Sequence, residues 1–125
     1  MENREKPIGI FDSGLGGLTS VKAVSEALPN EDIVYFGDTA RVPYGDRSKE
    51  TIIEYVKDDI EFLLSHDVKA IVIACNTADS MARLEMESIF RIPIVGVVGP
   101  AAKKAALATE NGRIGVIGTN ATVRS

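Results

Sequence analysis

The sequence VKAIVIACNT at residues 68–77 decides the fold, because it joins an apolar segment to the polar start of a helix. Residues 70–75 form the longest purely apolar run of the chain. Such a run is typical of a strand in a parallel sheet that helices cover on both faces. We therefore predict a strand over 68–75 at the sheet centre, followed by a helix that begins after Asn76 and Thr77 and runs to about Ile89.

Further segments rich in Val and Ile lie on either side of this strand and alternate with helical patterns. This alternation is typical of βαβ units and a parallel sheet. The other predicted strands cover 7–12, 32–37, 92–98 and 113–118. The predicted fold is α/β, a parallel sheet flanked by helices in a Rossmann-like three-layer arrangement.

Apolar residues at intervals of three and four predict which helix faces are buried. In the first helix, which opens at 14–17, they are Leu18, Val21, Val24 and Leu28. In the long second helix, which Ser48 can cap, they are Ile52, Ile53, Val56, Ile60, Leu63 and Leu64. The last helix is rich in Ala, has Pro100 at its first position and ends at 111–112.

The composition favours a small molecule as the partner of this chain. The 125 residues carry 18 acidic and 14 basic side chains, a net charge of -4, and 45% are hydrophobic. Disorder, a nucleic-acid surface and an anionic membrane surface are therefore disfavoured. No apolar run approaches the roughly 20 residues of a membrane span, and no secretory leader is recognisable, so we expect a cytoplasmic protein. A single cysteine excludes an internal disulfide and a multi-cysteine metal site, and we predict no metal.

Polar residues follow several predicted strands. In an open parallel sheet, ligands bind outside the carboxyl ends of the strands. The residues at these ends are Asp12, Ser13, Gly14, Asp38, Thr39, Pro43, Tyr44, Gly45, Cys75, Asn76, Thr77, Thr119 and Asn120. We predict that they converge on one small polar ligand.

Cys75 is the candidate base. At the junction of a strand and a helix, its sulfur meets the positive end of the helix dipole and free amides, which stabilise a thiolate. A buried structural cysteine is the alternative. Asp12 could accept a hydrogen bond from the thiol or bind an ammonium group, or instead cap the next helix. Ser13, Asn76 and Thr77 could hold a carboxylate or be ordinary caps.

The glycine-rich segment 14–17 is a weak match to a phosphate loop. It lacks the third glycine of the dinucleotide motif and the Gly-Lys-Ser/Thr of the P-loop. An anion-binding or nucleotide-binding module with a structural cysteine is nevertheless an alternative function. His66 is predicted to lie at a solvated helix terminus, at the opposite end of the sheet.

The motifs DSGLGG at 12–17, PYG at 43–45 and ACNTA at 74–78 stand in the order and at the spacing of the glutamate racemases. The chain closely resembles that family from residue 7 to residue 125. Aspartate racemases share the Cys-Asn-Thr segment but usually lack the DSGLGG opening. Glutamate is therefore the favoured substrate.

The resemblance implies a cofactor-independent enzyme that interconverts L- and D-glutamate for peptidoglycan synthesis. In the family, two cysteines act on opposite faces of the substrate, one as thiolate base and the other as thiol acid. By this resemblance Cys75 is one of them and Asp12 assists it. The implied substrate contacts are Asp12, Ser13, Pro43, Tyr44, Gly45, Asn76, Thr77, Thr119 and Thr122.

The resemblance also implies two pseudo-symmetric α/β domains with the substrate between them. Residues 1–97 would form the first domain without its C-terminal return, and 98–125 a linker helix and the first strand of the second. Similar patterns at 8–13 and 114–119 fit this division, although any two buried strands could share them. The second cysteine and its histidine would lie beyond residue 125, so we expect this chain alone to be inactive, or stable only beside the missing portion. A homodimer is one assembly expected of the full-length protein.

Overall fold

The computed structural model describes residues 3–125 and contains four strands and five α-helices within that range. The strands are β1 (Ile8–Asp12), β2 (Ile33–Gly37), β3 (Ala70–Ile73) and β4 (Ile94–Gly96). The helices are α1 (Leu18–Ala27), α2 (Lys49–Leu64), α3 (Asn76–Ile89), α4 (Val98–Ala108) and α5 (Asn120–Val123). Short 3-10 helical turns cover Asn3–Glu5 and Thr39–Arg41. No helix in residues 3–125 has both the length and the apolar character needed to cross a bilayer.

The four strands form one parallel sheet in the order β2-β1-β3-β4. Phe11 of β1 lies level with Phe36 of β2 and with Ile73 of β3. The chain therefore moves from β1 to one side of the sheet, and then crosses β1 to continue on the other side with β3. This topology confirms the predicted α/β class.

The main core cluster lies on one face of the sheet, although the central strand β1 is buried on both faces. Right-handed crossovers place α2 and α3 together on that face and α1 on the opposite face. The buried cluster on the α2 and α3 side includes Phe11, Val56, Ile71, Ile73 and Met86. Helix α1 contains no buried residue.

Burial in β3 alternates, which corrects the prediction that helices cover this strand on both faces. Ile71 and Ile73 are buried, whereas Ala70 and Val72 are only half-buried. The reason is that the face opposite α2 and α3 has only partial cover.

The first helix is likewise more exposed than its apolar stripe predicts. Leu18 is 49% and Leu28 is 47% exposed, while Val21 and Val24 are half-buried. The periodicity identified the apolar face of α1 correctly, but no neighbouring helix in residues 3–125 completes its burial.

The predicted fifth strand does not form. Residues 113–118 have no regular secondary structure and all are exposed, with Ile117 at 99%. A parallel strand needs a neighbour whose backbone can pair with it, and this segment lies beside none in the described part of the chain. The apolar pattern alone was therefore insufficient.

Several boundaries also differ from the predictions. Strands β3 and β4 are shorter than predicted, because their outer residues contribute to the turns and to the start of α4. Pro100 is the third residue of α4, where its missing N–H is one of the amides that a first turn leaves unpaired. Helix α4 ends at Ala108, and Gly112 adopts a positive φ of 71° in the following turn.

Candidate active site

A cavity of about 430 Å³ opens at the carboxyl ends of β1 and β3. These strands flank the point where the strand order reverses, which is where open α/β sheets bind ligands. The residues that line the cavity are Asp12, Gly16, Thr19, Ala74, Cys75, Asn76, Thr77, Ile117, Gly118, Thr119 and Thr122. Six of the predicted site residues therefore lie together, namely Asp12, Cys75, Asn76, Thr77, Thr119 and Thr122.

The Cys75 side chain caps the N-terminus of α3. The amide of Ala78 donates to Cys75 Sγ at 3.4 Å, and Sγ lies 3.3 Å from Ser13 Oγ, to which a thiol would donate. The residue is 7% exposed. The amide of Ala78 and the N-terminus of the 14-residue helix α3 therefore both face the sulfur. In the thiolate form the Ser13 hydroxyl can reverse its role and donate to the sulfur.

Asp12 is held by the amides of its own loop. The amide of Ser13 donates to Oδ1 at 2.7 Å, and the amide of Gly17, the residue that precedes α1, donates to Oδ2 at 2.6 Å. The carboxylate thus supports the start of α1, as the capping alternative predicts, and also lines the cavity. The hydrogen bond considered between the thiol and Asp12 is not formed, because Cys75 instead pairs with Ser13.

The same loop gives no support to the phosphate alternative. In a phosphate loop, free backbone amides point at the anion. Here the amides of Ser13 and Gly17 already donate to Asp12. These two amides are therefore unavailable to a bound phosphate.

Three threonine hydroxyls form a row along the cavity. Thr77 Oγ1 lies 2.8 Å from Thr119 Oγ1, which in turn lies 3.2 Å from Thr122 Oγ1. Thr77 is buried, Thr119 is exposed, and the exposed Asn76 lies beside them in the lining. Each hydroxyl has one hydrogen to donate, and the two contacts within the row use two of the three. One hydroxyl can therefore donate to an acidic ligand.

The segment 43–45 is not part of the lining. Tyr44 is 1% exposed and its hydroxyl is bonded to Asp38 and Asp59 in the core. Gly45 lies against Thr119, since an added Cβ would be 2.7 Å from Thr119 Cγ2. The predicted contacts of Pro43, Tyr44 and Gly45 with substrate stay predictions, and the segment reaches the cavity wall through Thr119.

Tyr35 is a supporting residue that sequence reasoning missed. Its hydroxyl donates to the carbonyl oxygen of Gly14 at 3.1 Å and so holds the loop after β1. Burial and the nearby Asp12 charge raise the pKa of Tyr35, which keeps the hydroxyl a donor. Other lining residues that were missed are Gly16, Thr19, Ala74, Ile117 and Gly118. Gly16 belongs to the DSGLGG motif, Thr19 follows it closely and Ala74 belongs to the ACNTA motif, and these positions could have indicated them.

The lining has one charged side chain, Asp12, among neutral donors. This arrangement suits a ligand that carries an ammonium group near Asp12 and a carboxylate near the hydroxyls and Asn76.

Within residues 3–125 no group of three or more His, Cys, Asp or Glu side chains could hold a metal ion. His66 is exposed at the end of α2, as predicted.

Comparison with known proteins identifies one family. The Asp/Glu/hydantoin racemase family matches residues 18–125. A curated glutamate racemase of Geobacter metallireducens is 53% identical over 120 residues, which is 96% of this chain and 44% of that relative. The chain spans about half the length of the curated relatives it matches.

Solved structures agree with this result. The glutamate racemase of Aquifex pyrophilus superposes with a TM-score of 0.91 at 51% identity, covering 94% of this chain and 47% of that one. The glutamate racemase of Francisella tularensis in complex with D-glutamate superposes with a TM-score of 0.83 at 45% identity, covering 96% of this chain and 45% of that one.

Proposed function

Because the chain belongs to the Asp/Glu/hydantoin racemase family, we propose that its cavity binds glutamate and that Cys75 acts as one of two bases that interconvert L- and D-glutamate. The observation that carries this proposal is the position of the Cys75 sulfur. It caps α3, contacts Ser13 and lines the cavity beside Asp12. The naming of similar proteins as glutamate racemases supports the choice of substrate.

The proposed role of Cys75 is to remove the proton from Cα as a thiolate. The amide of Ala78 and the dipole of α3 stabilise the negative sulfur. When the proton has moved to sulfur, the thiol donates to Ser13 and the same residue is ready as an acid for the reverse direction. No cofactor is required by this proton transfer.

Asp12 and the neutral donors would orient the amino acid. The Asp12 carboxylate would offset the ammonium charge of glutamate, and its own amide contacts fix its position. Asn76, Thr77, Thr119 and Thr122 would donate to the carboxylates. Orientation matters because a base removes a Cα proton efficiently only when sulfur and Cα are held in near-attack geometry.

Inversion needs a second acid on the opposite face of Cα. The sequence contains one cysteine, so the second thiol of the proposed mechanism would come from the half of the relatives' length that this chain does not span. In that proposal residues 1–97 belong to the first α/β domain and 98–125 lead into the second. The supply of D-glutamate for peptidoglycan, a cytoplasmic location and a homodimer are parts of the same proposal.

The test follows hydrogen exchange at Cα. The purified chain is incubated with L-glutamate in heavy water, and deuterium at Cα is measured by NMR. We expect slow exchange that Cys75→Ser abolishes, because serine is of similar size but a far weaker base. Ser88→Ala is the matched control, since Ser88 lies exposed on the same helix and bonds to Glu85.

A thermal shift measurement separates glutamate from phosphate as the ligand. A ligand that binds only the folded chain raises the melting temperature. We expect glutamate to raise it, and inorganic phosphate and nucleotides to have no effect. Equal exchange in the chain and in Cys75→Ser, or stabilisation by phosphate alone, would contradict the proposed function.

A further inference from the structure

Three buried side chains outside the cavity lining, Asp38, Tyr44 and Asp59, form a cluster with the half-buried Arg41, which we call the Tyr44 cluster. Arg41 Nε donates to Asp38 Oδ2 at 2.6 Å, and Arg41 Nη2 donates to Asp59 Oδ1 at 2.9 Å. The Tyr44 oxygen lies 2.7 Å from Asp59 Oδ2 and also bonds to Asp38 Oδ2. Asp59 is fully buried, at 0% exposure, and Asp38 is 5% exposed.

The number of hydrogens in this cluster is informative. An ionised carboxylate only accepts hydrogen bonds, and a phenol has one hydrogen to donate. Two carboxyl oxygens nevertheless lie within hydrogen-bond distance of the single Tyr44 oxygen. The Tyr44 hydrogen can serve only one of these two contacts, and the other is satisfied when one carboxyl group carries a hydrogen of its own and donates it to Tyr44.

The contacts of Arg41 indicate which carboxyl group this is. Asp38 Oδ2, the oxygen that faces Tyr44, already accepts from Arg41 Nε, so it is best suited to be an ionised acceptor. Asp59 receives Arg41 on Oδ1, which leaves Oδ2 facing Tyr44 without another donor. With Asp59 neutral, the half-buried guanidinium of Arg41 faces a single buried carboxylate, that of Asp38, and no second buried carboxylate needs a compensating charge.

We propose that Asp59 is a neutral carboxylic acid that donates its hydrogen to Tyr44, while Tyr44 donates to Asp38, and that this chain of hydrogen bonds positions the segment 42–45 against the cavity wall. Burial raises the pKa of Asp59 to about 7; the Tyr44 hydrogen bond and the Arg41 contact oppose the change, and the Asp38 charge reinforces it. Burial likewise raises the pKa of Tyr44 far above the physiological range, so the phenol keeps its hydrogen.

The route from Asp59 to the cavity is short. Tyr44 is fixed by Asp38 and Asp59, and the next residue, Gly45, touches Thr119 so closely that an added Cβ would lie 3.1 Å from Thr119 Cβ. Thr119 in turn contacts Thr77 in the cavity lining. Asp59 is therefore a positioning residue that acts through Tyr44. Its importance for catalysis rests on the proposed function, whereas its protonation does not.

Charged groups on the surrounding elements have other partners. Asp58, the neighbour of Asp59 on α2, is exposed and binds the outer side of Arg41 at 2.8 Å. Helix α3 and strand β1 also pack against α2, but Asp79 of α3 pairs with Arg83 and Asp12 of β1 pairs with its own loop. Strand β2 has no charged residue. Within residues 3–125, the side-chain partners of Asp59 are therefore Arg41 and Tyr44 of the Tyr44 cluster.

The test compares Asp59→Asn with Asp58→Asn in urea unfolding across pH. Asparagine reproduces the neutral acid, since its oxygen can accept from Arg41 and its amide can donate to Tyr44. Because the pKa of Asp59 is higher in the folded chain than in the unfolded chain, Asp59 stabilises the fold fully below its unfolded pKa. This stabilisation is lost as the pH rises from the unfolded pKa to the folded pKa. We expect the folding constant of Asp59→Asn, relative to the unsubstituted chain, to rise about tenfold per pH unit between about pH 4 and about pH 7. The ratio for Asp58→Asn should change little.

A second measurement needs no variant. In a chain with ¹³C in its aspartate carboxyl groups, we expect one resonance to titrate with a midpoint near 7, against about 4 for ordinary aspartates. That resonance should be missing from Asp59→Asn. The proposal is wrong if every aspartate titrates below about pH 5. It is also wrong if Asp59→Asn lowers the unfolding free energy by the same amount at every pH, as the loss of an ion pair would. Neither outcome depends on glutamate turnover.

Discussion

Gly17 fixes the position of Asp12. The residue has helical backbone angles, with φ at -62° and ψ at -12°, so its importance lies in the space around it. An added Cβ would lie 2.7 Å from Asp12 Cβ and 3.1 Å from Ala74 Cβ. The absence of a side chain at Gly17 lets the amide of Gly17 reach the Asp12 carboxylate.

Gly17→Ala should therefore destabilise the chain by about 1–3 kcal/mol, because Asp12 and the end of β3 must shift to accommodate the methyl group. Gly16→Ala is the matched control, since its nearest contact would be Asp12 Oδ2 at an ordinary 3.7 Å. We expect the control to change the unfolding free energy by less than about 0.5 kcal/mol in urea titrations. Equal losses in the two variants would contradict this role of Gly17.

At the scale of elements, α3 supplies the N-terminal cap of α4. Asp79 of α3 accepts from the amide of Val98 at 2.8 Å through Oδ2 and from Arg83 at 2.8 Å through Oδ1. Gly96 of β4 lies directly beneath this carboxylate, and a Cβ there would overlap it. The junction of β4 and α4 thus depends on a glycine in the strand and an acid on the neighbouring helix.

Gly96→Ala should displace Asp79 and release the first amide of α4, with a loss of about 2 kcal/mol or more of unfolding free energy. Gly99→Ala provides the control three residues away, since no atom lies within 4 Å of its added Cβ. Because alanine is favoured in a helix, this control should stabilise by up to about 1 kcal/mol. Circular dichroism during urea unfolding measures the unfolding free energy of both variants. An unchanged unfolding free energy in Gly96→Ala would show that the junction of β4 and α4 does not depend on this glycine.

At the scale of the whole molecule, several apolar side chains remain uncovered. Leu18 of α1 and Leu28 just after it are half-exposed, and Val116 and Ile117 of the segment 113–118 are 67% and 99% exposed. The chain also spans about half the length of its relatives. Ile117 belongs to the cavity lining, so one wall of the proposed site is formed by an exposed and irregular segment.

We expect the chain alone to form no D-glutamate from L-glutamate. Inversion at Cα by two bases requires an acid opposite Cys75, and the sequence has no second cysteine. Exchange by Cys75 alone returns the proton to the same face and retains the configuration. Chiral chromatography after incubation in heavy water tests this. The chain must be prepared free of host racemase and is compared with a sample that contains no protein. D-glutamate above the no-protein level would show that the two-cysteine argument is wrong.

The apolar patterns of the sequence were sufficient to predict the parallel sheet and its first four strands, although β3 and β4 are shorter than predicted and the fifth strand does not form. They are local: the spacing of Ile52, Val56 and Ile60 matches the buried face of α2, whereas in the run at 70–75 only the alternate residues Ile71, Ile73 and Cys75 are buried. The same stripe on α2 also contains Asp59, a charged residue at an apolar position. That position indicates a buried, paired acid, but not its partners.

Those partners were decided by tertiary structure alone. Tyr44 turns into the core toward Asp38 and Asp59, Asp12 bonds to the amides of its own loop, and 113–118 fails to become a strand. Each outcome depends on which groups from distant parts of the chain supply a hydrogen, an acceptor or a neighbouring strand. A sequence pattern records what a residue can do, whereas the choice among its competing partners is made by the free energy of the packed chain.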